Sequence, residues 1–253
     1  ATDVDAVSHL AAIVVDEPST ANPTLAISNN TLATVNLAYT CKKFQINRFI
    51  FSSTCSVYGA SESENLLKET SPLLPVSLYA QSKIESEIEL LKLASENFSP
   101  TILRLSTLFG WSYRPRFDLV VNLFTLLASL KKEINVMGGS QWRPFIHAMD
   151  AARAIEMVLQ SPIKTVGKEI FNVGSDSSNY KIEEIAQIIG QTIKGTKINT
   201  AGDIKDQRNY KVSFNKIQRQ IGFDTEVSLQ DGITEMVKHI KNWNINDLKH
   251  AAY

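Results

Sequence analysis

The chain has 253 residues, 43% of them hydrophobic and 21% charged, the proportions of a globular protein with a sizeable core. Twenty-six Lys plus Arg balance twenty-six Asp plus Glu, which argues against a nucleic-acid module with its basic excess or stripe. No apolar run approaches the ~20 residues that span a bilayer, and the acidic start Ala1-Thr2-Asp3-Val4-Asp5 does not read as a signal peptide. Cys41 and Cys55 make neither a disulfide framework nor a zinc spacing. The expectation is a cytoplasmic α/β protein with no membrane or nucleic-acid partner.

In chain order, residues 4–10 read as a short buried strand running into a loop at Ala11-Ala12. Over 23–44, Leu25, Leu32, Val35, Ala38 and Cys41 recur near helical spacing. Residues 48–53 form a strand that opens into a polar turn at 54–59, and 61–77, with Pro72 and Pro75, form a loop. A helix over 78–96 carries Ile84, Ile88 and Leu91 on one face, and 101–105 is the next strand. The alternation predicts βαβ units around a parallel sheet with helices on both faces. Further on come an apolar helix over 117–130, an extended segment over 142–147, a helix over 149–159 and a strand over 170–173. Asn179 is the expected cap of a helix carrying Ile182, Ile185, Ala186 and Ile189, and a helix over 229–243 closes the chain.

One motif is missing. A dinucleotide-binding α/β domain opens on Gly-x-Gly-x-x-Gly, which lets the pyrophosphate approach a helix N-terminus. None of the eleven glycines stands two or three positions from another. The expected fold is therefore a truncated doubly wound, Rossmann-like parallel sheet with a smaller C-terminal α/β substrate domain. A sheet without its leading strands has an unpaired edge and an uncovered face, which predicts low solubility or self-association.

Tyr79-Ala80-Gln81-Ser82-Lys83 sets a phenol and an ammonium four positions apart, on one helix face. A neighbouring cation favours phenolate and makes the tyrosine a usable acid and base. Alone, Tyr-x-x-x-Lys is a weak signal, equally read as a surface Lys lying along a Tyr ring. Its context is stronger: the pair follows the strand-end hydroxyl cluster Ser52-Ser53-Thr54-Cys55-Ser56 by about twenty-five residues. Cys55 has no His nearby in sequence and reads as a small buried residue. His147 reads as a core residue, since nothing around it has metal-ligand spacing.

With those residues in hand, the sequence resembles the extended short-chain dehydrogenase/reductases of the nucleotide-sugar epimerase/dehydratase group, nearly end to end. His9-Leu10-Ala11-Ala12 matches the loop beside the cofactor, Asn29-Asn30 with Thr34 a helix entry, and 49–59 the strand and turn with the catalytic Ser or Thr. Arg143-Pro144-Phe145-Ile146-His147-Ala148-Met149-Asp150 matches a segment whose Arg contacts the sugar-nucleotide diphosphate; Asn172-Val173-Gly174 and Asp206-Gln207-Arg208 fit later landmarks. The resemblance implies Tyr79 as acid/base, Lys83 on the nicotinamide ribose and Thr54 bonded to the reacting sugar oxygen. It implies NAD as cofactor, with NADP open, held by His9, Leu10, Ala11, Ala12, Asn30, Ser52, Ser53, Tyr79 and Lys83. Substrate contacts fall on Thr107, Asn122, Arg143 and Arg208, the two arginines as fork-shaped donors to phosphate. Thr107 stands where epimerases carry an Asn.

Members of the group that eliminate water carry Asp-Glu after the catalytic Thr, and decarboxylating members a Glu at the second of these positions. Cys55 and Ser56 stand here, which disfavours both reactions. The implied activity is 4-epimerisation of a nucleotide-diphosphate sugar. Two alternatives stay open: a 4-keto-sugar reductase using NAD(P)H, and a non-catalytic fragment or fold relative acting as a binding protein. The expected organisation is a residual cofactor domain over 1–109, a sugar-nucleotide domain over 110–253, and 145–171 partly rejoining the first. A homodimer of the full-length protein, through the helices over 24–44 and 78–96, is also implied.

Overall fold

The computed structural model describes residues 3–14, 23–61, 65–202 and 208–243; Asp206 and Gln207 lie outside them. The chain runs through β1 (Ala6–His9), α1 (Pro23–Ile27), a π-helical turn (Ser28–Leu32), α2 (Ala33–Lys43), β2 (Arg48–Thr54) and a 3-10 turn (Cys55–Tyr58). Next come α3 (Leu78–Leu93), β3 (Ser99–Leu105), β4 (Thr107–Phe109), α4 (Val120–Lys131), β5 (Glu133–Met137), β6 (Trp142–His147), α5 (Ala148–Gln160) and α6 (Ile163–Val166). The last part holds β7 (Ile170–Val173), β8 (Asn179–Lys181), α7 (Ile182–Thr192), β9 (Lys197–Ala201), α8 (Asn215–Ile221) and α9 (Leu229–Asn242).

β1, β2, β3 and β7 form one parallel sheet in the order β1-β2-β3-β7. A parallel strand buried on both faces needs apolar side chains on both, and β2 supplies them by alternation. Phe49 and Phe51 pack with Ala38, Cys41 and Leu90 of α2 and α3. Ile50 joins Ala151, Ala154 and Val158 of α5 in a second core, which also takes in Tyr210, Val212, Phe214 and Phe223. Both faces of β2 and β3 are thus covered, contrary to the uncovered face expected from the sequence. Exposure is confined to β1, which among the described residues pairs only with β2 and leaves Ser8 exposed. A third core, built on Phe124, Ile134, Phe145, Ile185, Ile189 and Ile233, joins α4, β5, β6, α7 and α9. No described helix is long and apolar enough to cross a membrane.

After β3, Ser106 engages Val173 O with its N–H at 3.1 Å and its hydroxyl at 2.8 Å, and β4 then pairs with β6 in a different sheet. Two local expectations need correction. Asn179 does not cap α7. It lies in β8, and its amide donates to Val212 O at 2.9 Å and accepts from Val212 N–H at 2.8 Å. Lys181 takes the cap position instead, with the Glu184 carboxylate accepting from its N–H at 2.7 Å. The helix expected over 23–44 is interrupted by the π-helical turn that carries Asn30.

Candidate active site

In an open parallel sheet, ligands bind beyond the carboxyl ends of the strands. Here those ends bring together His9 on β1 and Ser52 to Thr54 on β2, with the first turns of α3 alongside. The Ser77 hydroxyl caps α3 by accepting from Ala80 N–H at 3.2 Å. Tyr79, Lys83 and Glu87 follow at four-residue intervals on one stripe of the helix.

Lys83 is 2% exposed. Its ammonium donates to Ser52 O at 2.7 Å and lies 4.6 Å from the Phe51 ring centroid and 5.8 Å from that of Tyr79. Burial pushes its pKa down to about 8, against the pull of the Glu87 carboxylate, which raises it. The half-buried Tyr79 thus has a cation beside its ring, and the same cation is anchored two residues before Thr54. The Thr54 hydroxyl accepts from Ser56 N–H at 3.1 Å and lies 2.5 Å from the Ser56 hydroxyl, so Thr54 also caps the 3-10 turn.

The pleat separates the two serines before it. Ser52 and Thr54 share one face of β2; Ser53 points to the other, where its buried hydroxyl donates to Glu87 Oε1. The Ser53 side chain, expected at the cofactor, is therefore engaged inside the core. Asn30 is likewise engaged: its amide accepts from Ile13 N–H at 2.7 Å and donates to Ile13 O at 3.0 Å and Ser82 Oγ at 3.1 Å. It ties the loop after β1 to α3. In that loop Leu10 and Ala11 are exposed and Ala12 is half-buried. The Thr34 hydroxyl donates to Asn30 O at 2.6 Å, so it accepts from His9 Nε2–H at 2.8 Å. Burial, and then the Lys83 charge, lower the His9 pKa, which keeps the ring neutral.

The expected substrate residues divide into two places. Arg143, buried on β6, has its guanidinium 5.2 Å from the Tyr210 ring centroid and donates to Trp142 O at 2.7 Å. Burial pushes the Tyr210 pKa up to about 12, against the charges of Arg143 and Arg208. Thr107 is half-buried on β4, in register with Phe145 of β6. Asn122 does not join this group; it accepts from Gly110 N–H at 3.1 Å and donates to Arg116 O at 3.0 Å, bracing the loop after β4. Cys55 is fully buried, its thiol pKa raised by that burial, and its Sγ donates to Arg104 O at 3.1 Å. His147 Nδ1 accepts from Met149 N–H at 3.3 Å, capping α5, and its Nε2 lies 2.9 Å from Glu235 Oε2.

Sequence reasoning missed Glu87, Arg104 and Tyr210. Two signals existed: Glu87 continues the Tyr79–Lys83 stripe by one turn, and Arg104 is a charge inside the apolar run of β3. Tyr210 carried no such signal.

The profile of the family described as NAD dependent epimerase/dehydratase family matches residues 1–174. A UDP-glucuronate 4-epimerase of Thermodesulfobacterium geofontis is 26% identical over 253 residues, covering 97% of this chain and 74% of the relative. A dTDP-glucose 4,6-dehydratase of Streptomyces niveus is 26% identical over 242 residues, covering 92% and 69%. Among solved structures, a UDP-glucose 4-epimerase from the hyperthermophilic eubacterium Thermotoga maritima, with UDP-glucose, gives a TM-score of 0.84 at 24% identity, covering 94% of this chain and 77% of that one; this last likeness is one of fold. The family profile spans the sheet, the hydroxyl-bearing turn, the Tyr79–Lys83 helix and Arg143, and this chain belongs to the NAD-dependent epimerase/dehydratase family of enzymes.

Proposed function

We propose that the chain epimerises C4 of a nucleotide-diphosphate sugar, with Tyr79 as acid and base. The observation that carries this reading is the buried Lys83 ammonium, bonded to Ser52 O beside Thr54 and 5.8 Å from the Tyr79 ring. NAD is the cofactor of the family. The described residues fit its nicotinamide-ribose end: Lys83 has three N–H donors and one hydrogen-bond acceptor, Ser52 O, which leaves two donors for ribose hydroxyls. His9 and the loop through Ala12 lie at the same strand ends. When bound, NAD supplies a hydride acceptor that returns what it takes.

The chain's own groups handle the proton and the substrate. The Lys83 charge favours Tyr79 phenolate, which takes the C4 hydroxyl proton and later returns it to the carbonyl oxygen. Thr54 Oγ1 hydrogen-bonds that same oxygen, and Ser56 holds Thr54. Arg143 and Arg208, placed around Tyr210, hold the diphosphate. Dehydration would need a second acid and base on the turn after Thr54. Cys55 is buried there with its thiol pKa raised by that burial, and the Ser56 hydroxyl is engaged by Thr54; this favours epimerisation over dehydration. We also propose the division into a cofactor part over 1–109 and a substrate part over 110–253, with 145–171 partly rejoining the first, supported by the separate core under α4, α7 and α9 and by the packing of α5 on Ile50.

The test is incubation with NAD and UDP-glucose or UDP-glucuronate, followed by NMR of the anomeric protons. Epimer should accumulate to an equilibrium ratio, and Tyr79→Phe should slow it by about 100-fold or more. An inert protein that instead consumes reduced cofactor with a 4-keto sugar would be a reductase, and the epimerase reading would fall.

A further inference from the structure

Beneath Lys83 lies a buried ion pair that the proposed reaction does not use. Glu87 and Arg104 are each 3% exposed in their side chains, with Arg104 Nη2 2.7 Å from Glu87 Oε2 and Nε 3.1 and 3.2 Å from the two carboxylate oxygens. Ser53 donates to the same carboxylate. Arg104 Nη1 reaches Tyr58 Oη at 3.0 Å and Glu69 O at 3.1 Å, and Tyr58 Oη donates to Asn172 Oδ1 at 2.7 Å. Burying such a pair gives little net stability, because desolvation offsets the attraction. Its position suggests another use.

α3 is fastened to the end of β2 by two successive rungs. Lys83 holds Ser52 O, and one helical turn on, Glu87 holds the Ser53 hydroxyl. The residue beyond Ser53 is Thr54; the residue one turn before Lys83 is Tyr79. The pair of rungs therefore sets the register between the two groups that would share the sugar oxygen. We infer that Glu87 is a positioning residue for the reaction: clamped by Arg104 and Ser53, it docks α3 on β2 and places a negative charge one helical turn from Lys83.

The inference rests on the reading of Tyr79 and Lys83 as the acid–base pair. Among the described residues, the groups facing Lys83 are few. On its own helix they are Tyr79 and Glu87; from β1, the neutral ring of His9; from β2, the Phe51 ring and Ser52 O; from β3, behind Glu87, Arg104. Glu87 is the one anion among them. It is the group that raises the Lys83 pKa against the burial that lowers it.

Glu87→Gln alone would strand the Arg104 guanidinium in the core, so the informative variant is Glu87→Gln with Arg104→Met, which removes both charges together. Chain labelled with 13C at lysine Cε is titrated by NMR, with Lys83 assigned by its absence from a Lys83→Met spectrum. Lys83 should titrate lower in the double variant, because the anion on its own helix outweighs the Arg104 cation that lies behind it. The alkaline limb of the kcat profile should move down with it, a loss of about fivefold at pH 8 for a one-unit shift from 8. Ser53→Ala keeps the charge and should lower kcat with the limb unmoved. A folded double variant whose Lys83 titration and alkaline limb match the wild type would overturn the inference. Its failure is distinct from that of the reading beneath it: a fully active Tyr79→Phe sinks the reading, while the NMR titration reports on Glu87 without turnover.

Discussion

Lys83 shows how far a single site residue works against the fold that holds it. Its folded pKa of about 8 lies below the ordinary lysine value of 10.5, so the unfolded chain binds the proton more tightly. A lysine with a depressed pKa contributes stability that is full above the unfolded value and is lost as pH falls through the folded one. At pH 7 the protein therefore carries the whole penalty, and its stability should rise between pH 8 and 10.5. Lys83→Met keeps the length of the side chain and removes the charge, at the expense of one hydrogen bond to Ser52 O. The variant should gain about 1–2 kcal/mol at pH 7, lose its stability rise above pH 8, and lose turnover. Urea melts at pH 7 and pH 10 check the sign. A variant less stable than wild type at pH 7 would mean that the ammonium is a structural group.

At the scale of elements, one side chain couples two of them. Asn30, in the π-helical turn, engages both backbone groups of Ile13 and the hydroxyl of Ser82 on α3. Asn30→Ala leaves the Ile13 amide without its acceptor and should cost about 1–3 kcal/mol. Hydrogen exchange at the Ile13 amide should accelerate sharply while amides in the centre of β2 stay protected, and NAD affinity should fall as the loop after β1 loosens. Unchanged exchange at Ile13 would show that the loop is held by other means. What the sequence made legible follows the same division between local pattern and long-range contact. The strand over 170–173 has the observed bounds, because a short apolar run that ends at a glycine announces itself, and the extended segment over 142–147 is β6. β5 and β9 went unread, since each is short and forms its ladder with the other some sixty residues away. In the site, Tyr79, Lys83 and Thr54 stood out by spacing, whereas the inward turn of Ser53 depends on the pleat of β2. The engagement of Asn30 and Asn122 by backbone depends on loops that only the tertiary structure brings near.

For the whole molecule, α1, α2 and α3 leave apolar groups in water. Leu25 on α1, Leu32 in the π-helical turn and Tyr39 on α2 are 47, 55 and 57% exposed. Ile88 on α3, also 47% exposed, extends this apolar set. The inner faces of the same helices are already used, packing Ala38, Cys41 and Leu90 on β2. An apolar set on adjoining helices marks a contact surface, and we propose that a second copy of the chain covers it, helix pair against helix pair. Covering the exposed half of each of these side chains contributes roughly 0.7–1.5 kcal/mol, so one charge among them should be costly. Leu32→Asp should convert a dimer to a monomer in sedimentation at micromolar concentration, with the melting of the monomer still cooperative. Because α3 carries Tyr79 and Lys83, the monomer should also turn over more slowly than the dimer. A wild-type chain that sediments as a monomer at that concentration would remove the second copy as the cover, and with it any role for pairing in holding α3 against β2.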